Sequence, residues 1–241
     1  MTPNIQVFPT PEALSEGAAK FIIELAQQSV AEKGRFIIAL SGGSTPERLF
    51  QLFAQAPYST LLPWQHTYFF WGDERCVPLD DKRNNAYQAK QLLFNKINVP
   101  TENIFRIPTN LPPEEAADQY EESIKNLFGD EPPRFDLILL GMGDNGHTAS
   151  LFPHTSVLHE EARMVKEVYV EEVSMYRVTM TAPLINLAHY IVFLVTGANK
   201  AAMLRTVLQG AYEPGLYPAQ LIEPVDGKLL WMVDEAAVGS N

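Results

Sequence analysis

A histidine in a glycine-rich segment is the residue of this sequence best suited to acid–base chemistry. His147 follows the apolar run DLILL, and its segment also contains three glycines and a carboxylate (GMGDNGH, 141–147). The glycines allow a sharp turn that would project the imidazole over the end of a strand. Since histidine titrates near neutral pH, His147 is a candidate general base. The alternative is a structural histidine that caps the following helix.

A second segment has the composition of a phosphate-binding turn. Gly42, Gly43, Ser44 and Thr45 follow the apolar run FIIAL and precede a helical pattern. Glycines let the backbone approach a ligand, and a helix N-terminus offers free N–H groups and a positive dipole end. The alternative is a tight turn capped by Thr45. The segment lacks the lysine of a GxxxxGK[ST] loop, which disfavours a nucleoside triphosphate.

Charged residues follow two further apolar runs. Asp73 and Arg75 come directly after TYFFW, and Lys200 comes shortly after YIVFLV. Arg177 lies in a segment of less clear structure and offers a guanidinium. Each of these residues has a simpler interpretation, a solvated Asp–Arg pair or a surface charge. An acidic protein that binds an anion nevertheless needs a few local cations of this kind.

Alternating strand and helix patterns predict an α/β fold that positions these segments. Four apolar runs without polar alternation are typical of parallel strands covered on both faces; they span 36–40, 67–71, 136–140 and 190–195. Between and beyond them, helices are predicted over 12–30, 46–53, 114–128 and 200–208. Thr10 and Pro11 have the types that begin a helix. We expect a single domain over residues 1–241, with a mostly parallel sheet flanked by helices.

The ligand site of such a fold lies beyond the carboxyl ends of its strands, where the polar segments described above begin. The run 165–181 is less regular. Two further strands, 164–168 and 177–180, are expected there as a small antiparallel addition.

Composition excludes several classes of function. With 18 Lys and Arg against 29 Asp and Glu, the net charge is −11, which disfavours nucleic acid and anionic membranes as partners. Cys76 is the sole cysteine, so no intramolecular disulfide forms. Neither a signal peptide nor a run of about 18–20 apolar residues is present. We therefore expect a cytoplasmic protein.

The motifs of several cofactors and nucleophiles are also missing. The sequence has no Cys/His cluster with zinc spacing and no GxGxxG followed by an acidic residue. Neither a metal nor a dinucleotide cofactor is therefore expected. A GxSxG elbow is absent as well, which argues against a serine nucleophile.

Four segments together resemble the 6-phosphogluconolactonase family, in the wider superfamily of glucosamine-6-phosphate isomerases. They are LSGGSTP (40–46), FFWGDERCVP (69–78), LLGMGDNGHTASLFP (139–153) and VTGANKAAMLRTVLQG (195–210). The likeness covers essentially the whole chain, and GDERxVP and GHTASLFP are its specific parts. It implies a Rossmann-like α/β fold, no metal, and hydrolysis of 6-phospho-D-glucono-1,5-lactone in the oxidative pentose phosphate pathway.

The resemblance also assigns roles. It makes His147 the general base, and Asn145 stands where the family commonly has an Asp two residues before that histidine. We expect Asn145 and Asp73 to orient the imidazole or the attacking water. The phosphate is expected against Gly42, Gly43, Ser44 and Thr45, with Lys200, Arg177 and Arg75 as charge partners; backbone N–H groups or Arg75 would face the oxyanion.

Two other functions compete with the lactonase. Glucosamine-6-phosphate deaminases share the fold but use a carboxylate five residues after the histidine, where this chain has Phe152. A phenylalanine cannot relay a proton, so this activity is disfavoured. The second alternative is a non-catalytic sugar-phosphate sensor that regulates transcription. The fold is expected to begin by Ile5, which leaves no room for a helix-turn-helix, and the charge is wrong for DNA. A monomer or small homo-oligomer is expected.

Overall fold

A six-stranded parallel sheet forms the centre of the protein. The computed structural model describes residues 4–239. In spatial order the strands are β1 (Asn4–Phe8), β9 (Lys228–Asp234), β8 (Tyr190–Val195), β5 (Leu137–Leu140), β2 (Phe36–Leu40) and β3 (Thr67–Trp71). Each strand pairs in parallel with its neighbours. Strands β2 and β5 are buried along their whole length, which accounts for their continuous apolar sequences.

Helices flank this sheet. They are α1 (Pro11–Lys33), α2 (Ser44–Phe53), α3 (Tyr58–Leu61), α4 (Asn85–Ala89), α5 (Pro113–Phe128), α6 (Ala182–Ile185), α7 (Ala201–Gln209) and α8 (Glu235–Val238). A π-helical turn, Lys90–Phe94, continues α4, and a 3₁₀ turn, Ala198–Lys200, leads into α7. None of the helices within residues 4–239 has the length and apolar character needed to span a bilayer.

A small antiparallel sheet adjoins the carboxyl end of β3. It consists of β4 (Asp73–Arg75), β7 (Met175–Met180) and β6 (Val165–Val170), in that order. Gly72 joins the two sheets, because its N–H donates to the carbonyl of Leu40 (2.9 Å) while its own carbonyl accepts from Met180 N–H (2.8 Å). The predicted antiparallel addition is therefore confirmed.

Most of the predicted elements are found within a few residues of their expected ends. The four long strands are confirmed, and Thr10 caps α1 by accepting a hydrogen bond from Ala13 N–H (3.2 Å). The alternative in which Thr45 caps the turn into α2 is wrong. Helix α2 begins at Ser44, and its N-cap residue, Gly43, has no side chain to cap the helix. The Thr45 hydroxyl instead bonds to the Thr196 hydroxyl (2.8 Å).

Three strands have no counterpart in the predicted set, and for two of them the sequence gives a physical reason. β1 lies at the edge of the sheet and is largely exposed, so its apolar residues form no buried run. β4 has three residues, two of them charged acids. β9 has five consecutive apolar residues, LLWMV (229–233), between an exposed lysine and a buried aspartate, so its sequence does have the pattern of an interior strand and the predicted set omitted it.

The order of the strands places a crevice between β2 and β5. From β2 the chain proceeds to β3 on one side, and later returns to β5 on the other side of β2. The segments that leave these two neighbouring strands therefore diverge at their carboxyl ends, and a ligand site is typical of such a switch point. The glycine-rich segments after residues 40 and 140 meet there.

Candidate active site

A cleft of about 250 Å³ opens at the carboxyl ends of β2 and β5. It is lined by Ser41, Gly42, Asp73, Arg75, Asn85, Gly141, Met142, Gly143, His147, Ala149, Arg177 and Lys200. Six of the ten residues predicted for the site are in this set. The other four, Gly43, Ser44, Thr45 and Asn145, lie outside the lining. Segments separated by more than 150 residues in sequence therefore converge on one cleft.

The loop that carries His147 is folded closely on itself. Gly143 N–H donates to the His147 carbonyl (2.8 Å), and Gly146 N–H donates to the Gly143 carbonyl (3.1 Å). A Cβ atom at Gly143 would overlap the imidazole ring, so the ring takes its place only because that residue is glycine. Gly146 has a φ of +78°, a conformation that glycine adopts without strain. The local sequence thus fixes the position of the ring.

A short hydrogen bond between Asn145 and His147 defines the imidazole tautomer. The Oδ1 atom of Asn145 lies 2.6 Å from Nδ1 of His147 and 3.1 Å from its backbone nitrogen. An amide oxygen accepts hydrogen bonds and cannot donate them. Nδ1 therefore carries the proton, and Nε2 keeps its lone pair, the state that a general base requires.

Burial keeps this imidazole neutral. The ring packs against Phe152, and burial lowers the pKa of His147 from 6.5 to about 4. The carboxylates of Asp73 and Asp144 raise the pKa of His147, and the cationic groups of Arg177 and Lys200 lower it further. Because loss of hydration outweighs the carboxylates, the ring is an unprotonated base at neutral pH.

The carboxylate of Asp73 contacts groups other than the imidazole. Its Oδ2 atom accepts a hydrogen bond from the Ser150 hydroxyl (2.5 Å) and lies 3.7 Å from Nη1 of Arg177. Of the two orienting residues expected from the sequence, Asn145 is the one bonded to the His147 ring. Asp73 lines the cleft without a hydrogen bond to that ring.

Several buried polar atoms around the cleft lack partners within residues 4–239. They are Nε of Arg75, Nε of Arg177 and Oδ1 of Asn85. Buried polar groups in folded proteins are nearly always hydrogen-bonded, so three unpaired atoms beside one cleft are an exception to this rule. One Nη atom of Arg75 is held by the Arg83 carbonyl (2.7 Å). The two guanidiniums give the cleft a local positive charge in a protein of net charge −11.

The N-terminus of α2 borders the same cleft. Its capping residue is Gly43, with a φ of +108°, so no side chain occupies the free N–H groups of the first turn. Ser44 is exposed, and the Thr45 hydroxyl is bonded to Thr196. A Cβ at Gly42 would overlap the Asn85 side chain. The turn is therefore open to an anion through its backbone, with the Thr45 hydroxyl already engaged.

Lys200 lies at the rim with its charge paired. Its ammonium contacts Oδ1 of Asp144 (2.6 Å), which also accepts from the Asn199 amide (3.0 Å). The segment is anchored by Asp234 at the end of β9, whose carboxylate accepts from Gly197 N–H (3.0 Å). An anionic ligand at Lys200 would share this ammonium with Asp144.

Two residues outside the predicted site set shape the cleft. Glu74 is buried, and its carboxylate accepts hydrogen bonds from the N–H groups of Arg75, Asn85 and Ala86 (2.8–2.9 Å), which fixes the start of α4 beside the cleft. Burial raises its pKa to about 7. Asn85 then donates to the Asp73 carbonyl (3.1 Å). The paired asparagines at 84 and 85, which begin α4, are the one sequence signal for this contact.

No group of three or more His, Cys, Asp or Glu side chains within the described residues is arranged to hold a metal ion. The expectation of a metal-free enzyme stays a prediction. The chemistry that the arrangement itself offers is that of a neutral imidazole base beside two guanidiniums and a helix N-terminus.

A neutral imidazole over the switch point of a parallel sheet, next to a cationic cleft, is typical of an α/β enzyme that acts on a small anionic molecule. The family model described as glucosamine-6-phosphate isomerases/6-phosphogluconolactonase matches residues 9–231. The chain belongs to this family, which confirms the resemblance seen in its motifs.

Full-length relatives are more specific. A 6-phosphogluconolactonase of Synechocystis sp. is 39% identical over 245 residues, covering 100% of this chain and 99% of the relative. One from Haemophilus influenzae is 40% identical over 236 residues, with 98% of each chain covered. The solved structure of 6-phosphogluconolactonase from Trypanosoma cruzi matches with a TM-score of 0.86 at 29% identity, covering 98% of this chain and 96% of that chain.

Proposed function

We propose that this enzyme hydrolyses 6-phospho-D-glucono-1,5-lactone to 6-phospho-D-gluconate in the oxidative pentose phosphate pathway. The full-length similarity to 6-phosphogluconolactonases supports the reaction. The observation that carries the mechanism is the Nδ1–H tautomer of His147, which leaves Nε2 free as a base in the cleft.

The first chemical step is attack of water on the lactone carbonyl. Nε2 of His147 takes one proton from the water as its oxygen forms a bond to C1. Asp73, which follows the carboxyl end of β3, orients that water. The imidazolium so formed is stabilised by the Asn145 oxygen on Nδ1–H, because that hydrogen bond strengthens when the ring becomes charged. A positioned base of this kind contributes about 10²–10⁴ in rate.

The second step breaks the ring. The tetrahedral intermediate collapses, the C1–O5 bond breaks, and the imidazolium returns its proton to O5. His147 is neutral again, the product has a free hydroxyl and a carboxylic acid, and that acid loses its proton to solvent. One residue therefore serves first as base and then as acid. The developing oxyanion on C1 faces Arg75 or backbone N–H groups of the cleft.

The 6-phosphate binds at the uncapped N-terminus of α2. The backbone of Gly42, Gly43, Ser44 and Thr45 supplies N–H donors there, since Gly43 leaves that turn without a side-chain cap. Arg75, Arg177 and Lys200 supply the charge. All three residues line the cleft, and their cationic groups can form charge-assisted hydrogen bonds to phosphate oxygens.

The proposal extends to the whole chain and its setting. Residues 1–241 form one lactonase domain, present as a monomer or small homo-oligomer in the cytoplasm, with the phosphosugar lactone as its partner. A single cysteine cannot form an intramolecular disulfide, which fits a reducing compartment. The net charge of −11 disfavours binding to nucleic acid.

The direct test is a lactonase assay on freshly generated 6-phosphogluconolactone, with spontaneous hydrolysis subtracted. We expect enzyme-dependent opening of the lactone at a rate proportional to protein concentration. Unphosphorylated gluconolactone is the matched substrate that lacks the anion and should have a much higher KM. No rate above the spontaneous reaction would contradict the proposal.

A further inference from the structure

A carboxylate outside the cleft contacts the residue that orients the base. Nδ2 of Asn145 donates a hydrogen bond of 2.7 Å to Oε2 of Glu172. Glu172 lies in the 3₁₀ turn Glu171–Val173, which joins β6 to β7. The three side chains therefore form a continuous chain of hydrogen bonds from carboxylate to amide to imidazole, across 27 residues of sequence between 145 and 172.

The turn that carries Glu172 is fixed relative to the histidine loop. Strand β7, which follows this turn, carries Thr179, whose hydroxyl oxygen accepts a hydrogen bond from Ser150 N–H (3.2 Å). The guanidinium of Arg177 on the same strand lies 5.5 Å from the centre of the Phe152 ring. The antiparallel sheet thus holds its terminal turn against the 141–152 segment.

The orientation of the Asn145 amide decides which imidazole nitrogen carries the proton. With the amide rotated by 180°, its NH₂ group would face Nδ1 of His147, and its oxygen would face the Glu172 carboxylate. The NH₂ group would also face the His147 backbone N–H, which places a donor against a donor. The Asn145 oxygen would face the Glu172 carboxylate, which places an acceptor against an acceptor. In that orientation Nδ1 must be the acceptor, so the proton moves to Nε2 and the base is lost.

We propose that Glu172 is a positioning residue for the hydrolysis, acting through the Asn145 amide to hold His147 in the Nδ1–H tautomer. The Glu172 carboxylate accepts a hydrogen bond from the NH₂ group of Asn145, and the amide oxygen accepts one from the His147 backbone N–H. Glu172 also polarises the amide, which strengthens the hydrogen bond from Nδ1–H as the imidazolium forms. This inference rests on the proposed function for its kinetic consequence and on geometry alone for the tautomer.

The kinetic test compares Glu172→Ala with Glu172→Gln. The alanine variant should lower kcat by about three- to tenfold, the effect of one ordinary hydrogen bond, with KM for the lactone unchanged because Glu172 does not reach the substrate. The glutamine variant retains an oxygen acceptor and should recover most of the rate. Glu171→Ala, at the adjacent exposed position, is the matched control and should leave kcat unchanged.

Variants in an Asn145→Asp background test whether Glu172 acts through the Asn145 amide. In Asn145→Asp both oxygens of residue 145 are acceptors, so no rotation can present a donor to Nδ1. Adding Glu172→Ala to this background should cause no loss of kcat, and a gain is expected because two neighbouring carboxylates no longer repel. An equal loss from Glu172→Ala in both backgrounds would overturn the proposal, as would full activity of Glu172→Ala in the native background.

A spectroscopic measurement separates this inference from the proposed function. Long-range ¹H–¹⁵N correlation on the imidazole reports which ring nitrogen is protonated without any substrate. The native protein should show Nδ1 protonated and Nε2 bare, and Glu172→Ala should show a mixture of both tautomers. If the lactonase activity were absent, this result would still test the positioning role. An unchanged Nδ1–H tautomer in Glu172→Ala would overturn it.

Discussion

The imidazole of His147 is stacked on the phenyl ring of Phe152, with ring centroids 3.8 Å apart and an angle of 16° between the planes. The phenyl ring covers one face of the base and excludes water from it. Phe152 also occupies the position five residues after the histidine, where an isomerising relative would carry a carboxylate. A group that cannot exchange a proton therefore stands next to the base, which suits hydrolysis and not proton transfer between carbon atoms.

We expect the protein to release no ammonia from glucosamine 6-phosphate. Deamination with isomerisation is expected to need a carboxylate five residues after the histidine, and Phe152 cannot take or give a proton at that position. The measurement is ammonia release by the same preparation that opens the lactone, so that inactive protein is not mistaken for specificity. Turnover of glucosamine 6-phosphate above background would make the deaminase the better assignment.

The pKa of His147 should be about 4 in the folded protein. Burial against Phe152 removes hydration that the imidazolium needs, and the nearby Arg177 and Lys200 assist, while Asp73 and Asp144 oppose the effect. An NMR titration of the imidazole in the free protein measures this directly. A midpoint near the ordinary value of about 6.5 would show that the ring is hydrated.

The lowered pKa of His147 should also make the stability of the folded protein depend on pH. Between about pH 6.5 and pH 4 the unfolded chain binds a proton at His147 that the folded protein does not, so the free energy of unfolding falls as the pH is lowered through this window. His147→Gln removes that titration. The difference in unfolding free energy between native protein and variant should therefore shrink from pH 7 to pH 4 and level off below. A difference independent of pH would contradict the burial of a neutral ring.

Replacement of Gly143 should displace the base. A Cβ at this position overlaps the His147 ring, and a misplacement of about 1 Å costs on the order of 10²-fold in rate. Gly215→Ala is the control, because Gly215 is outside the cleft lining and its Cβ would meet nothing within 4 Å. We expect Gly143→Ala to lose kcat with its circular dichroism retained and Gly215→Ala to remain active. Equal activity of the two variants would refute the close-approach argument.

Lys200→Ala should raise KM for the phosphorylated lactone by about tenfold or more, the effect of losing one charge-assisted hydrogen bond. Its effect on unphosphorylated gluconolactone should be small. Asp144→Asn weakens the ion pair that engages the Lys200 ammonium and should lower KM for the phosphorylated substrate alone. Identical changes for both lactones would remove Lys200 from the phosphate site.

Prediction from the sequence succeeds where the interactions that determine an element lie within one short segment. The run FIIAL is apolar throughout because both faces of β2 are buried, and the strand begins and ends as predicted. Thr10 and Pro11 begin α1 because capping is a local interaction. Glycine spacing likewise indicates a tight turn at His147, and the turn is found there.

Contacts between distant segments could not be read in this way. The Thr45 hydroxyl bonds to Thr196 instead of capping its own helix, a partner 151 residues further along the chain. Ser150 and Asp73 are 77 positions apart, and Glu172 reaches Asn145 only because the β6–β7 turn folds back onto the histidine loop. Such pairings depend on the packing of the two sheets, which no local pattern encodes.

The most direct test of the account is the rate of lactone opening by His147→Ala beside native protein, on freshly generated 6-phosphogluconolactone with spontaneous hydrolysis subtracted. Circular dichroism must show that the variant is folded. We expect a loss of about 10²–10⁴ in kcat, the contribution of a general base. A folded His147→Ala variant that keeps nearly full kcat would contradict the assignment of His147 as the base.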